Sequence, residues 1–485
     1  MKIDPRKELY AILDVLPTAT QKEIKRAYRR LARRFHPDSG AKEASIERFR
    51  DVEEAYRILS DEKTRQAYDK QRAELGIGYQ AALNWNIVPS REKLPTGPEE
   101  QMFYLLVEVF PAEGIEARRL PLNLCLVIDR STSMNGERLK YVKTAAHRIV
   151  DDLEDDATLS IVGFSDRAEV LMPSSPIADR TRAHASIASM WAGGGTEILH
   201  GLKAGLEQLR HRHRDEVVSY LILLTDGRTY GDEEKCLAEA RRAGLERIGI
   251  SALGIGEDWN DAFLDDLVRQ AEGVSAYISY PQQILAVLRD QVRGLGGLFA
   301  RRVQLTLRFS EHAWLASAFR TAPHFEYLVP ADGVLTLGTL HIGKLMQVLL
   351  EIVVSAPDAQ QGRLVQLDLA ADLPSLGRDE RLLQDVEVEF VADPPKEAVP
   401  TLIVNTLGRL SVFRMQKDAW QALEDGRQDE ARQRLERVAT RLLDMGEDDL
   451  AHRVLIEAGR VAQGGRASDK GYKTIKYSTR SLGIG

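Results

Sequence analysis

Five side chains stand out by type and spacing. Asp129, Ser131 and Ser133 alternate along the chain, Thr196 follows the run Gly193-Gly194-Gly195, and Asp226 stands inside Thr225-Asp226-Gly227. Two carboxylates with three hydroxyls make an all-oxygen, weakly charged donor set. Such a set suits a hard divalent cation with waters completing an octahedron, and points to Mg2+. A second group lies near the amino end, where His36-Pro37-Asp38 separates two stretches of helical periodicity. Pro37 disfavours helical geometry at His36, so the tripeptide opens a loop. Cys125 and Cys236 are the two thiols, too few for a disulfide framework or a cysteine metal site.

The carboxylates need a scaffold that brings distant segments together. Residues 124–128, 159–164, 217–224, 248–253 and 276–278 are short apolar runs, and helical periodicity occupies 138–153, 196–209, 233–243 and 262–271. This alternation predicts a parallel sheet with helices on both faces. Ligands bind such sheets beyond the carboxyl ends of the strands, where the three polar segments fall. With the late segment Gly254-Ile255-Gly256-Glu257-Asp258-Trp259, residues 120–297 resemble the von Willebrand factor A (vWA) domain and its metal-ion-dependent adhesion site. The resemblance implies that Asp129, Ser131, Ser133, Thr196 and Asp226 hold the ion. It also implies that one metal position stays open for an Asp or Glu carboxylate of a protein partner.

At the amino end, Thr20 and Glu23 form a capping-box pattern, and Ile24, Ala27, Tyr28 and Leu31 recur at helical spacing. Lys22, Lys25, Arg26, Arg29, Arg30 and Arg33 occupy the other face, a stripe that repels itself and suits an acidic partner. A second amphipathic helix is predicted over 45–59, with Ile46, Phe49, Val52, Tyr56 and Leu59 as its apolar stripe. Two antiparallel helices joined by His-Pro-Asp, closed by Arg65-Gln66-Ala67-Tyr68-Asp69, make residues 9–71 resemble the J-domain of DnaJ-type co-chaperones. The resemblance implies stimulation of a DnaK-type chaperone ATPase. His36, Pro37 and Asp38 would make the contact, with Lys25, Tyr28, Arg29 and Arg30 on the docking face. The chain lacks the Gly/Phe-rich segment and the Cys-x-x-Cys zinc repeats of the general-purpose relatives, so client choice falls to its other parts.

The length of 485 residues predicts about three domains, at ~150 residues each. Period-two runs at 83–87, 104–109, 303–309, 334–337, 348–354, 364–369 and 386–390 predict an antiparallel sandwich in two widely separated halves. The fold expectation is therefore multidomain: an all-α J-domain, a β-sandwich interrupted by a doubly wound α/β vWA domain, and a C-terminal α-helical bundle. The boundaries read as 1–75 for the J-domain, 76–119 for linker and first sandwich strands, 120–297 for the vWA domain, 298–395 for the rest of the sandwich, 396–463 for the bundle and 464–485 for a basic tail. That tail, with Lys470, Lys473, Lys476 and Arg480, is either a docking segment or a frayed end.

Charge and patterning exclude several functions. The net charge is -7, with 18 basic against 14 acidic residues over 1–78 (+4) and so -11 over the remainder, a poor balance for nucleic-acid binding. No apolar run approaches the ~20 residues that span a bilayer, and residues 1–10 show no secretory pattern, so a cytoplasmic protein without a membrane partner is expected. Ser131 and Ser133 lie in no Gly-x-Ser-x-Gly elbow, and Asp129 lacks the second aspartate of aspartyl-phosphate enzymes. Residues 338–345 nearly match a phosphate-binding loop, but Leu345 stands where Mg2+ needs a hydroxyl. The expectation is a non-enzymatic co-chaperone or adaptor that recruits a DnaK-type chaperone and binds an unknown protein partner through the metal. The alternative is a regulatory scaffold partnering a ring-shaped ATPase or signalling complex, with the J-like module as a tether.

Overall fold

The computed structural model describes residues 9–13, 15, 19–35, 46–74, 81–115, 118–178, 180–229, 231–356, 362–395, 397–464 and 467–482, which fall into two compact units, Met1–Asn84 and Trp85–Gly485. No helix among the described residues is long and apolar enough to cross a membrane.

The first unit is helical, with α1 (Leu9–Ile12), α2 (Gln21–Phe35), α3 (Ile46–Leu59) and α4 (Glu62–Glu74). The capping box forms as the sequence predicts: Thr20 N donates to Glu23 Oε2 at 2.6 Å, and Glu23 N donates to Thr20 Oγ1 at 3.3 Å. The core gathers Leu9, Tyr10, Leu13, Ile24, Leu31, Val52, Ile58, Leu59 and Tyr68. Val52 and Leu59 lie on the buried stripe of α3 as expected, joined by Ala55 and Ile58, whereas Tyr56 is half-buried and stacks on Tyr28 with ring centroids 4.0 Å apart. Leu9 N donates to the Tyr68 hydroxyl oxygen at 3.0 Å, tying the chain start to the core.

Strands begin with β1 (Leu83–Pro89), most of which lies in the second unit, followed by β2 (Lys93–Pro95) and β3 (Gly97–Pro111). An α/β segment follows: β4 (Leu122–Asp129), α5 (Glu137–Asp152), β5 (Thr158–Phe164), β6 (Ala168–Pro176), α6 (Arg180–Ala188), α7 (Ile198–Arg210), β7 (Val218–Thr225), α8 (Glu233–Leu245), β8 (Gly249–Ile255), α9 (Asp261–Arg269), β9 (Ser275–Ile278) and α10 (Ile284–Leu295). Its sheet has the order β6-β5-β4-β7-β8-β9, parallel except for β6, an edge strand that the apolar-run reading missed because it carries Pro173 and two serines. Every residue of β4 is buried, as a central parallel strand requires. Helix α7 lies against the sheet through Gly201 and Gly205, where a Cβ would come within 2.7 Å of Phe164 and 2.5 Å of Val127.

Strands then resume with β10 (Leu298–Phe309), β11 (Ala313–Ala322), β12 (Glu326–Leu328), β13 (Val334–His341), β14 (Met346–Ala356), β15 (Gly362–Leu373) and β16 (Arg378–Val391). They form two five-stranded sheets, β1-β3-β14-β11-β12 and β13-β10-β15-β16-β2. Each sheet therefore takes strands from both sides of the α/β segment, which is inserted between them. The pairing is antiparallel among the late strands, but β2 runs parallel to β16, a departure from the antiparallel expectation. Of residues 338–345, the first four end β13 and 342–345 connect it to β14.

The chain ends in α11 (Thr401–Glu424), α12 (Gln428–Asp444), α13 (Asp448–Ala462) and α14 (Asp469–Arg480). Trp420, Leu435, Val438, Leu442, Leu450 and Val454 share a core, while Leu443 and Leu455 are exposed. Helix α11 also covers the first sheet, with Ile403 and Leu410 packed on Leu106, Phe319 and Leu349.

Candidate functional site

Parallel pairing of β4 with β7 places Asp129 and Asp226 at neighbouring strand ends. Asp129 and Asp226 are fully buried, and hydroxyls bond to both. Asp129 Oδ1 accepts from Ser131 N at 2.8 Å, and Oδ2 accepts from Thr225 Oγ1 at 2.7 Å. Ser131 Oγ lies 3.0 Å from Ser133 Oγ, and Ser133 Oγ donates to Asp226 Oδ1 at 2.7 Å. Thr196 joins them from the other side: a Cβ at Gly227 would lie 2.8 Å from Thr196 Oγ1, so the hydroxyl rests on the residue after Asp226. All five oxygen-bearing residues singled out in the sequence thus meet at one strand-end cleft.

Burial pushes the Asp129 carboxyl up to about 6, against the pull of hydrogen bonds from Ser131 and Thr225, with the Asp226 charge adding to the rise. Among the described residues no group of three or more His, Cys, Asp and Glu gathers as a metal cage. What the cleft offers is two carboxylates and hydroxyls, a donor chemistry matched to a hard cation. Ser133 and Thr132 are exposed while both aspartates are not, so the cleft opens at the 131–133 turn.

Sequence reasoning missed Arg138. Its Nη1 donates to Asp226 Oδ2 at 2.5 Å, a charge-assisted bond to a fully buried carboxylate. The same guanidinium borders the late loop, since a Cβ at Gly256 would lie 2.9 Å from Arg138 Nη2. The signal was weak because Arg138 opens a helix whose apolar face carries the periodicity. Thr225 was missed too, as a hydroxyl at the end of a strand otherwise read as apolar.

The basic tail is not frayed: over Asp469–Arg480 it folds as α14 and packs on the α/β segment of the same chain. In α14, Lys473 is buried and its Nζ donates to Glu257 O at 2.5 Å and Trp259 O at 2.7 Å. Arg480 makes two bonds to Asp265, at 2.9 and 2.7 Å, and Lys476 pairs with Asp261 and Asp265. The helix therefore clamps residues 257–265, which adjoin Arg138 through Gly256.

In the first unit, Lys25, Arg29 and Arg30 are exposed on one face of α2 and Tyr28 is half-buried. His36, Pro37 and Asp38 lie outside the described residues.

Three family models match: a DnaJ domain over residues 8–69, a von Willebrand factor type A domain over 123–283, and an Sll0103-like, C-terminal alpha-helical domain over 401–484. Uncharacterized protein sll0103 of Synechocystis sp. is 32% identical over 235 residues, 48% of this chain and 56% of that protein. Chaperone protein DnaJ of Hydrogenobacter thermophilus is 53% identical over 66 residues, 14% of this chain and 18% of that protein. The chain thus spans about half of the first relative and under a fifth of the second. Two solved structures share the fold: a von Willebrand factor type A protein from Catenulispora acidiphila (TM-score 0.66, 19% identity, 84% of this chain and 99% of that one) and the ArnB paralog VWA2 from Sulfolobus acidocaldarius (TM-score 0.54, 16% identity, 83% and 100%). This chain carries an N-terminal DnaJ domain, a von Willebrand factor type A domain within extra β-sheets, and an Sll0103-like C-terminal helical domain.

Proposed function

We propose that the chain is a cytoplasmic, non-enzymatic adaptor. It recruits and stimulates a DnaK-type chaperone ATPase through residues 1–75 and captures a protein partner at a divalent-cation site, Mg2+, built from Asp129, Ser131, Ser133, Thr196 and Asp226. The observation that carries the reading is the union on one chain of a matched DnaJ domain and an oxygen-lined cleft in a matched vWA domain. A DnaJ domain points to an Hsp70 partner, and a vWA domain to protein binding.

The chain's own residues have separable tasks. Asp129 is held rigid by Ser131 N and Thr225 Oγ1, which fixes its carboxylate orientation before any ion arrives. Ser133 bonds Asp226 and lies against Ser131, which holds Asp129, and it stands at the opening. The ion, when bound, supplies an open coordination position for a partner's carboxylate. Arg138 balances Asp226 from the side away from Ser133. Ser131 and Ser133 are engaged within the site itself, Ser131 Oγ with Ser133 Oγ and Ser133 Oγ with Asp226 Oδ1.

Two measurements test the reading. His36→Gln should abolish stimulation of a DnaK-type ATPase while the helical content of the first unit is retained. Unchanged stimulation by the soluble variant would leave the first unit as a tether and favour the scaffold alternative. Calorimetric titration with Mg2+ should show binding to the parent chain and none to Asp226→Ala.

A further inference from the structure

Residues 190–195 join α6 to α7 and carry Trp191, whose 65% exposure is unusual for so large an apolar side chain. The exposure is built in, because everything around Trp191 is fixed. Met190 is buried and Ala192 packs on the core. Gly193 N donates to Arg130 O at 2.7 Å, Thr132 N and Oγ1 donate to Gly194 O at 3.0 and 2.9 Å, and Gly195 N donates to Asp166 Oδ1 at 2.7 Å. The indole lies over Gly193, where a Cβ would come within 2.7 Å of its Cζ3. The Arg130 guanidinium sits 5.3 Å from the ring centroid and is itself tied to Glu169 at 2.9 Å. A side chain held this way loses little conformational freedom when a partner covers it.

The position matters as much as the rigidity. Arg130 directly follows Asp129, and the Thr132 to Gly194 bonds staple the tryptophan loop to the 131–133 turn where the cleft opens. The indole therefore borders the mouth of the oxygen-lined cleft. With a divalent ion present, the formal charges of Asp129, Asp226, Arg138 and the ion sum to about +1, which complements a carboxylate and disfavours a basic segment.

We propose that Trp191 is the aromatic anchor of the docking surface at this cleft, and that the partner segment carries an Asp or Glu beside an apolar side chain such as Leu, Phe or Trp. The carboxylate answers the ion and the apolar neighbour covers the indole. This inference rests on the cation reading given above. It adds a recognition element that the ion cannot supply, since a single carboxylate contact distinguishes poorly among acidic surfaces, whereas buried aromatic anchors carry much of the discrimination in protein interfaces.

The test is selection from a displayed library of random peptides on the full chain with Mg2+, repeated with chelator and with Trp191→Ser and Trp191→Phe. The parent should enrich peptides in which an acidic residue neighbours an apolar one, and chelator should remove the enrichment. Trp191→Ser, with an unchanged thermal melt, should keep the acidic preference, lose the apolar one and bind the parent's best synthetic peptide about tenfold more weakly or worse. Trp191→Phe should retain part of the affinity. Acidic peptides with no apolar preference, or equal affinity for Trp191→Ser, would overturn the role of Trp191 while leaving the cation reading intact. Failure to enrich any chelator-sensitive acidic peptide would overturn the cation reading and this inference together.

Discussion

Arg138 is the residue that makes this cleft particular. A guanidinium bonded to Asp226 places positive charge beside the donor set, so it opposes a second cation while keeping the buried carboxylate paired in its absence. Arg138→Gln should therefore tighten Mg2+ binding by about tenfold, or ~1.4 kcal/mol, in a calorimetric titration. Weaker binding by the variant would show that Arg138 acts by positioning Asp226 instead. Asp226→Ala should remove stabilisation by added Mg2+ in thermal melts, because a ligand stabilises a fold only by binding it. In chelator the same change should cost about 1 kcal/mol, at the low end for a lost buried partner, since Ser133 and Arg138 both reach water.

At the scale of elements, α14 decides the conformation of the loop that borders Arg138. Asp265 is its buried keystone. Burial works to raise its carboxyl, but the hydrogen bonds and charge of Arg480, with Lys476, hold it well below the usual carboxylate range. A depressed folded pKa contributes stability above the unfolded value of about 3.9, and that stability is lost only as pH falls through the folded value, so the clamp survives mild acid. Asp265→Asn leaves the half-buried Arg480 and Lys476 beside a neutral amide and should cost about 2 kcal/mol, seen as faster hydrogen exchange in α14. His324, beside the residue whose backbone N–H bonds Arg480 O, behaves differently. Burial, with the charge of Arg320, pushes His324 down to about 4, so the fold keeps it neutral while an unfolded chain takes up a proton below about 6.5. Stability should fall as pH drops from about 6.5 to about 4, and His324→Gln should remove up to about 2 kcal/mol of that fall between pH 6.5 and 5 in urea titrations.

For the whole molecule, the two compact units predict separable activities. His36→Gln should leave chelator-sensitive peptide binding unchanged, and Asp226→Ala should leave ATPase stimulation unchanged. Reversing Arg29 and Arg30 to Glu should weaken chaperone docking about tenfold or more and flatten its salt dependence, because exposed charges on α2 act through a field screened beyond ~8 Å at physiological ionic strength. Binding rates of parent and variant across a salt series measure both.

The sequence by itself determined most of the elements and singled out the oxygen-bearing residues. The capping box at Thr20 and the alternation of apolar runs with helices are set by local spacing and appear where spacing put them, whereas Asp129, Ser131, Ser133, Thr196 and Asp226 stand on distant segments that the parallel sheet brings to neighbouring strand ends. Strand β6 escaped because an edge strand with half-exposed, proline-containing residues has no buried run to reveal it. Tertiary structure alone decided which charges meet: Arg138 with Asp226, and Arg480 and Lys476 with Asp265 more than 200 residues away. It also decided that the basic tail docks and that Trp191 stays outside. No period or motif encodes such pairings, because a charged or aromatic side chain takes its role from whatever the folded chain brings beside it.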